Sequence, residues 1–176
     1  MAREWGIRSV LGNHEDRLLA AWRSGNSGQL KAGDRSTLNQ LGNEDREWIA
    51  EWPHVLILPE LGAAVIHGGL LPEVPLREQD PQVVLRMQVL DGAGRPAKRA
   101  EAPDGQAWGA FWNGPETIYY GHTPRQEVLV HPHAVGLDTG CVYGFELSAV
   151  ELPAGRLYRV PAVRDWAKKN RLSVSR

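Results

Sequence analysis

Three polar side chains in this sequence stand where an apolar run meets glycine: Asn13 after Gly12, His67 before Gly68-Gly69, and His122 after Gly121. Each run reads as a strand, so each residue is expected at a strand's C-terminal edge, where α/β sheets bind ligands. Two imidazoles and a carboxamide oxygen make a donor set for a borderline divalent ion such as Mn²⁺, Fe²⁺ or Zn²⁺. For one isolated histidine, a hydrogen bond to turn backbone is the plainer explanation. Three independent strand ends of the same design favour a site. His14, beside Asn13, should enter the same cleft at another angle, where a protonated imidazole can donate to a leaving-group oxygen. Its competing role is a supporting hydrogen bond.

Other residues are candidates for lesser parts. Arg77 and Arg86 flank the helix expected after His67, and a guanidinium suits phosphate oxygens, although solvent is the usual partner of an arginine. Asp138 either braces the turn Asp138-Thr139-Gly140 or orients a ligand histidine. Asp16 reads as a helix-terminus acid, Arg17 as solvent-facing and Cys141 as a buried small hydrophobe. His131 and His133 read as a solvent-facing strand edge, with metal binding the alternative.

These side chains need a scaffold to hold them. An opening strand is expected through Ile7, Val10 and Leu11, then a helix over Glu15 to Ser24 stopped by Gly25. A second helix is expected from an Asn43 cap to Pro53, with a short helical turn from Gly33-Asp34-Arg35 between them. Val55-Leu58 and Ala63-His67 read as paired strands around Pro59-Gly62. Asp80-Pro81 is an N-cap followed by proline at the first helical position. Asp91 to Gln106 reads as a surface excursion, and Thr117-Tyr120 as the strand delivering His122. Beyond that the pattern turns β, closing on a hairpin of Leu147-Leu152 and Leu157-Val160. The chain divides into residues 1–163, one partial domain, and 164–176, a basic tail expected to fray.

Bulk properties exclude several classes. The 176 residues are 42% hydrophobic and 23% charged with a net charge of −1, ordinary for one globular domain and without the excess charge that grips nucleic acid or anionic membrane. No apolar run approaches the roughly 20 residues of a membrane span. One cysteine excludes an internal disulfide framework and suits a reducing, cytoplasmic setting.

Taken together, Gly12-Asn13-His14-Glu15, His67-Gly68-Gly69-Leu70, Gly121-His122-Thr123-Pro124 and Leu137-Asp138-Thr139-Gly140-Cys141-Val142-Tyr143-Gly144 resemble, in order and spacing, the motifs of the calcineurin-like metallophosphoesterases. The similarity is to the branch holding the serine/threonine phosphoprotein phosphatases and the ApaH-like symmetrical diadenosine tetraphosphatases. It implies an α/β (α+β) fold, a β-sandwich flanked by helices. It implies Asn13, His67 and His122 as ligands of one of two divalent ions, His14 as the acid, and in-line attack by a metal-activated water.

The family also carries an Asp-x-His strand end and a Gly-Asp-x-x-Asp-Arg segment, which supply the other ligands and the Asp orienting the catalytic His. Neither occurs in this sequence. The chain therefore reads as the C-terminal two-thirds of such a domain, holding at most one ion, with little turnover by itself. The expected function is hydrolysis of a phosphoprotein, dinucleoside polyphosphate or polyphosphate, without sequence-specific nucleic-acid binding or membrane attachment. The alternative is an inactive relative serving as a binding or regulatory module. Loss of the leading elements would leave an exposed edge prone to self-association. The loop from Asp91 and the wall around Trp108 and Trp112 are expected to select the substrate.

Overall fold

The computed structural model describes residues 2–168. Three helices lead: α1 (Asn13–Ser24), α2 (Ala32–Gln40) and α3 (Asn43–Ala50). Strands β1 (Val55–Leu58) and β2 (Ala63–Ile66) follow, then α4 (Pro81–Arg86), the ribbon β3 (Val89–Leu90) and β4 (Pro96–Ala97), and β5 (Thr117–Tyr120). Strands β6 (Leu129–His131) and β7 (Ala134–Gly136) precede the hairpin of β8 (Glu146–Glu151) and β9 (Arg156–Pro161).

The central sheet runs β1-β2-β5-β7-β6, parallel at β2/β5 and β5/β7 and antiparallel at both ends. The fold is thus mixed α/β, as the sequence pattern implies. Ala64, Ile118 and Ala134 align across three strands and are each 0% exposed. Side chains on this face alternate with the pleat and meet α4, Leu70, Trp108 and Trp112 in the main core. Burying aliphatic side chains here contributes about 1.5–3 kcal/mol each. The reverse face presents half-buried Val65, Tyr119 and Leu137, which with Val10 line an open groove of about 310 Å³.

Helix starts follow their local chemistry. Gly12 precedes α1 in an extended conformation without a side-chain cap, and its carbonyl accepts Asp16 N–H, so the helix opens on Asn13, two residues earlier than expected. Gly25 ends it in the left-handed region at φ 66°. Gly42, not Asn43, caps α3, with Asp45 accepting its N–H. Asp80 caps α4 by accepting Gln82 N–H at 2.8 Å, with Pro81 next, as expected.

The expected opening strand does not form. Residues 7–12 run extended, tied by Leu11 N–H to Pro53 O at 2.9 Å. An apolar run becomes a strand only by pairing its backbone with a neighbour, and no described strand pairs with it. Residues 169–176 of the surmised tail lie outside the described residues; within them, Arg164 stacks on Trp166 at 3.5 Å. Among the described residues no helix is long and apolar enough to cross a membrane.

Candidate metal centre

The parallel pair β2 and β5 ends at one edge of the sheet and delivers His67 and His122 together. Gly121 N–H donates to His67 O at 2.9 Å, which ties the two strand exits to each other. Gly68 N–H donates to Val84 O at 2.9 Å, and a Cβ on Gly68 would lie 2.8 Å from that carbonyl oxygen. Only glycine lets the chain leaving His67 pass so close beneath α4. Across the cleft, α1 brings Asn13 in its first turn. Gly12 serves the same end: a Cβ there would press on the His67 ring at 3.0 Å.

Three donor atoms converge. His67 Nε2 lies 2.9 Å from Asn13 Oδ1 and 3.0 Å from His122 Nδ1. Bonds of ~2.1 Å meeting at right angles around an ion place neighbouring donors ~3.0 Å apart. The expected trio is therefore assembled, with the spacing an ion accepts. No group of three His, Cys, Asp or Glu is so placed among the described residues; the carboxamide of Asn13 completes this set.

Both histidines are fixed by their surroundings. His122 Nε2–H donates to Arg86 O at 3.3 Å, which leaves Nδ1 as the lone-pair atom facing His67. His122 is the one non-glycine at positive φ, 65°, among the described residues, a conformation that persists only where surroundings impose it. Burial first, then the neighbouring His122 and His14, lower the His67 pKa to about 4. Burial also lowers that of His122, against the raising effects of Arg86 O and Asp138. Both rings are thus neutral and ligand-competent at neutral pH.

His14 follows Asn13 in the first turn of α1, beside this centre. Its Nδ1 lies 3.0 Å from Asp34 Oδ1. Asp34, in the first turn of α2, is a partner that sequence reading passed over because Gly33-Asp34-Arg35 lacks the family's second Asp-Arg. Its signal was there all the same, a carboxylate one short loop downstream of the candidate acid.

Other expectations change. Arg17 is not solvent-facing; it pairs with Asp34 at 3.3 Å and meets His14 Nδ1 at 3.0 Å. Asp16 caps nothing and instead pairs with Arg86 at 2.9 Å, because α1 and α4 flank the same cleft. Arg86 is thereby placed at the centre, with Nη1 unpartnered among the described residues. Arg77 is exposed in the 3₁₀ turn Leu76–Glu78 and is not brought to the centre. Asp138 accepts Gly140 N–H at 3.1 Å, the turn-bracing option, while its charge raises the His122 pKa.

Cys141 is half-buried rather than core. His131 ends β6 half-buried, its Nε2 covered and without a partner among the described residues, and so is not a solvent-facing edge. Trp108 and Trp112, 1% and 5% exposed, belong to the core and cannot form a substrate wall. The excursion after Leu90 instead lines a cavity of about 450 Å³ with Asp91, Asp104, Gln106 and Phe111.

No family model matches the chain. It is similar to curated proteins named asymmetrical bis(5'-nucleosyl)-tetraphosphatase PrpE. Identity is 28% over 161 residues with that of Oceanobacillus iheyensis, covering 82% of this chain and 61% of the relative. With those of Halalkalibacterium halodurans and Bacillus subtilis it is 29% and 28%, covering 87% and 89% of this chain and 65% and 67% of theirs. The chain thus spans roughly two thirds or less of the length of these relatives. A crystal structure of a putative diadenosine tetraphosphatase superposes with a TM-score of 0.79 at 28% identity, covering 92% of this chain and 71% of that one. The motif-based resemblance to the ApaH-like branch of the calcineurin-like phosphoesterases is borne out; the relatives themselves are named asymmetrical rather than symmetrical enzymes.

Proposed function

We propose that this relative of the dinucleoside tetraphosphatases forms one wall of a metal-dependent phosphoanhydride hydrolase site, with a nucleoside polyphosphate as its substrate. The observation that carries the reading is the placement of Asn13 Oδ1 at 2.9 Å and His122 Nδ1 at 3.0 Å from His67 Nε2. The names of the relatives and of the fold neighbour support the reaction and substrate class. Mn²⁺, Fe²⁺ or Zn²⁺ fits the two imidazoles and the carboxamide. When bound, such an ion neutralises phosphoryl oxygens and makes water a nucleophile near neutral pH.

This chain's own residues do the rest. Asn13, His67 and His122 hold the ion, and the Arg86 carbonyl keeps the His122 ring turned toward it. His14, more than half exposed, presents its outer nitrogen to the cleft and gives a proton to the leaving phosphate oxygen. Arg86, steadied by Asp16 and with its side chain 38% exposed, offers its guanidinium to phosphate.

The test is titration of the 176-residue chain with Mn²⁺ by calorimetry, followed by diadenosine tetraphosphate with product analysis. Saturable 1:1 binding is expected, weakened at least tenfold in Asn13→Ala and His67→Ala. Metal uptake that both variants retain would refute the centre. Intact uptake without any hydrolysis would instead favour a binding or regulatory module.

A further inference from the structure

The excursion after Leu90 and the segment Pro72-Glu73 enclose a cavity of about 450 Å³, within the range of about 300–1,000 Å³ in which small-molecule sites fall. None of the proposed ion-binding residues lines it. On its wall Phe111 is 42% exposed, whereas the nearby Trp108 and Trp112 belong to the core. Phe111 N–H donates to Trp108 O at 3.0 Å, so the two buried indoles anchor the turn while the phenyl ring stays at the cavity.

The other walls are fixed by hydrogen bonds of their own. Buried Gln79 donates to Leu71 O at 2.8 Å and Val74 O at 2.7 Å and accepts Leu71 N–H at 2.9 Å, which pins Pro72 and Glu73 between them. Leu90 and Gln106 exchange backbone hydrogen bonds at 2.9 and 2.8 Å. Asp91 engages both carboxylate oxygens within its own turn, accepting Ala93 N–H, Arg95 N–H and Arg95 Nε–H. A cavity held in this way needs little ordering when a ligand enters.

The groups left over define the ligand. Among the described residues no lysine, arginine or histidine lines the cavity, and carboxylates do, so a phosphate group is repelled from it. The side chains of Glu73, Asp104 and Gln106 have no partner among the described residues. A carboxylate only accepts hydrogen bonds, whereas a carboxamide both accepts and donates. A planar ring that stacks on Phe111 and carries an amino group suits this lining. We propose that the cavity is a nucleoside pocket: it holds an amino-bearing base such as adenine against Phe111, with Glu73, Asp104 and Gln106 supplying the acceptors.

The pocket deepens the proposed function and rests on its nucleotide substrate class. Pro72 follows His67 by five residues, so their Cα atoms lie at most about 18 Å apart, a gap that an extended nucleoside polyphosphate can bridge. Gly69, two residues after His67, packs on the indole that anchors the Phe111 turn; a Cβ there would lie 2.8 Å from Trp108 Nε1. Charge then sorts the two ends of one substrate, with the base among carboxylates and the phosphates toward the ion-binding residues and Arg86.

The test is titration of the metal-free 176-residue chain with adenosine, which has no phosphate, read by amide NMR. Saturable shifts are expected at Gly92, Gly94, Gln106 and Phe111. Phe111→Ala should weaken binding about 5–150-fold, the size of one base–aromatic stack. Phe111→Tyr keeps the ring, should bind as wild type does, and is the folded comparison if the alanine variant loses its amide dispersion. Inosine, with an oxo group in place of the amino group, should bind more weakly than adenosine, and Glu73→Gln with Asp104→Asn should narrow that gap. Shifts that map elsewhere, equal affinity for the two nucleosides, or a tighter response to spermidine would overturn the proposal. A chain that takes up Mn²⁺ but ignores adenosine would refute the pocket alone, and one that binds adenosine at Phe111 without taking up Mn²⁺ would refute the metal centre alone.

Discussion

Acid should destabilise this protein through His67, and the size of the effect follows from its surroundings. In the folded chain burial, His122 and His14 hold the His67 pKa at about 4, against an ordinary 6.5. A folded-state pKa below the unfolded value means that the unfolded chain binds more protons in between, so stability rises with pH across that window. The contribution is fully present above about pH 6.5 and is lost as the pH falls through about 4. At 1.36 kcal/mol per pH unit the difference is worth about 3 kcal/mol at full weight. The ring is only partly buried, and solvent screening reduces this to about 1.5 kcal/mol.

The perturbation is His67→Gln, which keeps a polar side chain near Asn13 but removes the titrating group. Urea unfolding in the presence of a chelator, at about pH 7 and about pH 4, gives the comparison. Wild type should lose about 1.5 kcal/mol more between the two than the variant does. Carboxylates and His131, which lies outside this contact, titrate in both proteins and cancel in the difference, whereas His122, 3.0 Å from His67, belongs to the effect being read. Equal losses would refute the account of His67 as a neutral ring held by burial.

Three further outcomes are expected. Gly68→Ala should cost about 1–3 kcal/mol, because its Cβ meets the Val84 and Met87 carbonyl oxygens at 2.8 and 3.0 Å; chemical denaturation reads it, with weakened Mn²⁺ binding alongside. Ile118→Ala, emptying a fully buried position in the central strand, should cost about 2–5 kcal/mol in the same assay. The half-buried apolar groove of Val10, Val65, Tyr119 and Leu137 should drive concentration-dependent self-association, reduced in Tyr119→Glu; a monodisperse monomer across all concentrations in sedimentation would argue against it.

Much of the fold was legible along the chain because its signals are local. Asp80-Pro81 and Gly25 bound their helices by backbone chemistry within one turn, and the apolar runs around Pro59-Gly62 pair with each other. The strand-end positions of His67 and His122 were equally readable, since an apolar run followed by glycine states both where a strand stops and that space is left beside it. Residues 7–12 show the limit: apolar content names a candidate strand, but pairing decides whether it becomes one.

The identities of the proposed ion-binding residues are legible in the sequence itself: Asn13, His67 and His122 announce their chemistry by type and by their glycine neighbours. Only tertiary structure decided their geometry and their partners. The β2/β5 register brings two strand exits side by side, α1 lays Asn13 across them, and the Arg86 carbonyl selects the His122 nitrogen that faces inward. The pairs Asp16 with Arg86 and His14 with Asp34 join residues 70 and 20 positions apart, on helices whose packing no local pattern encodes. A side chain's chemistry is a property of one residue, whereas its partner is a property of how two elements pack.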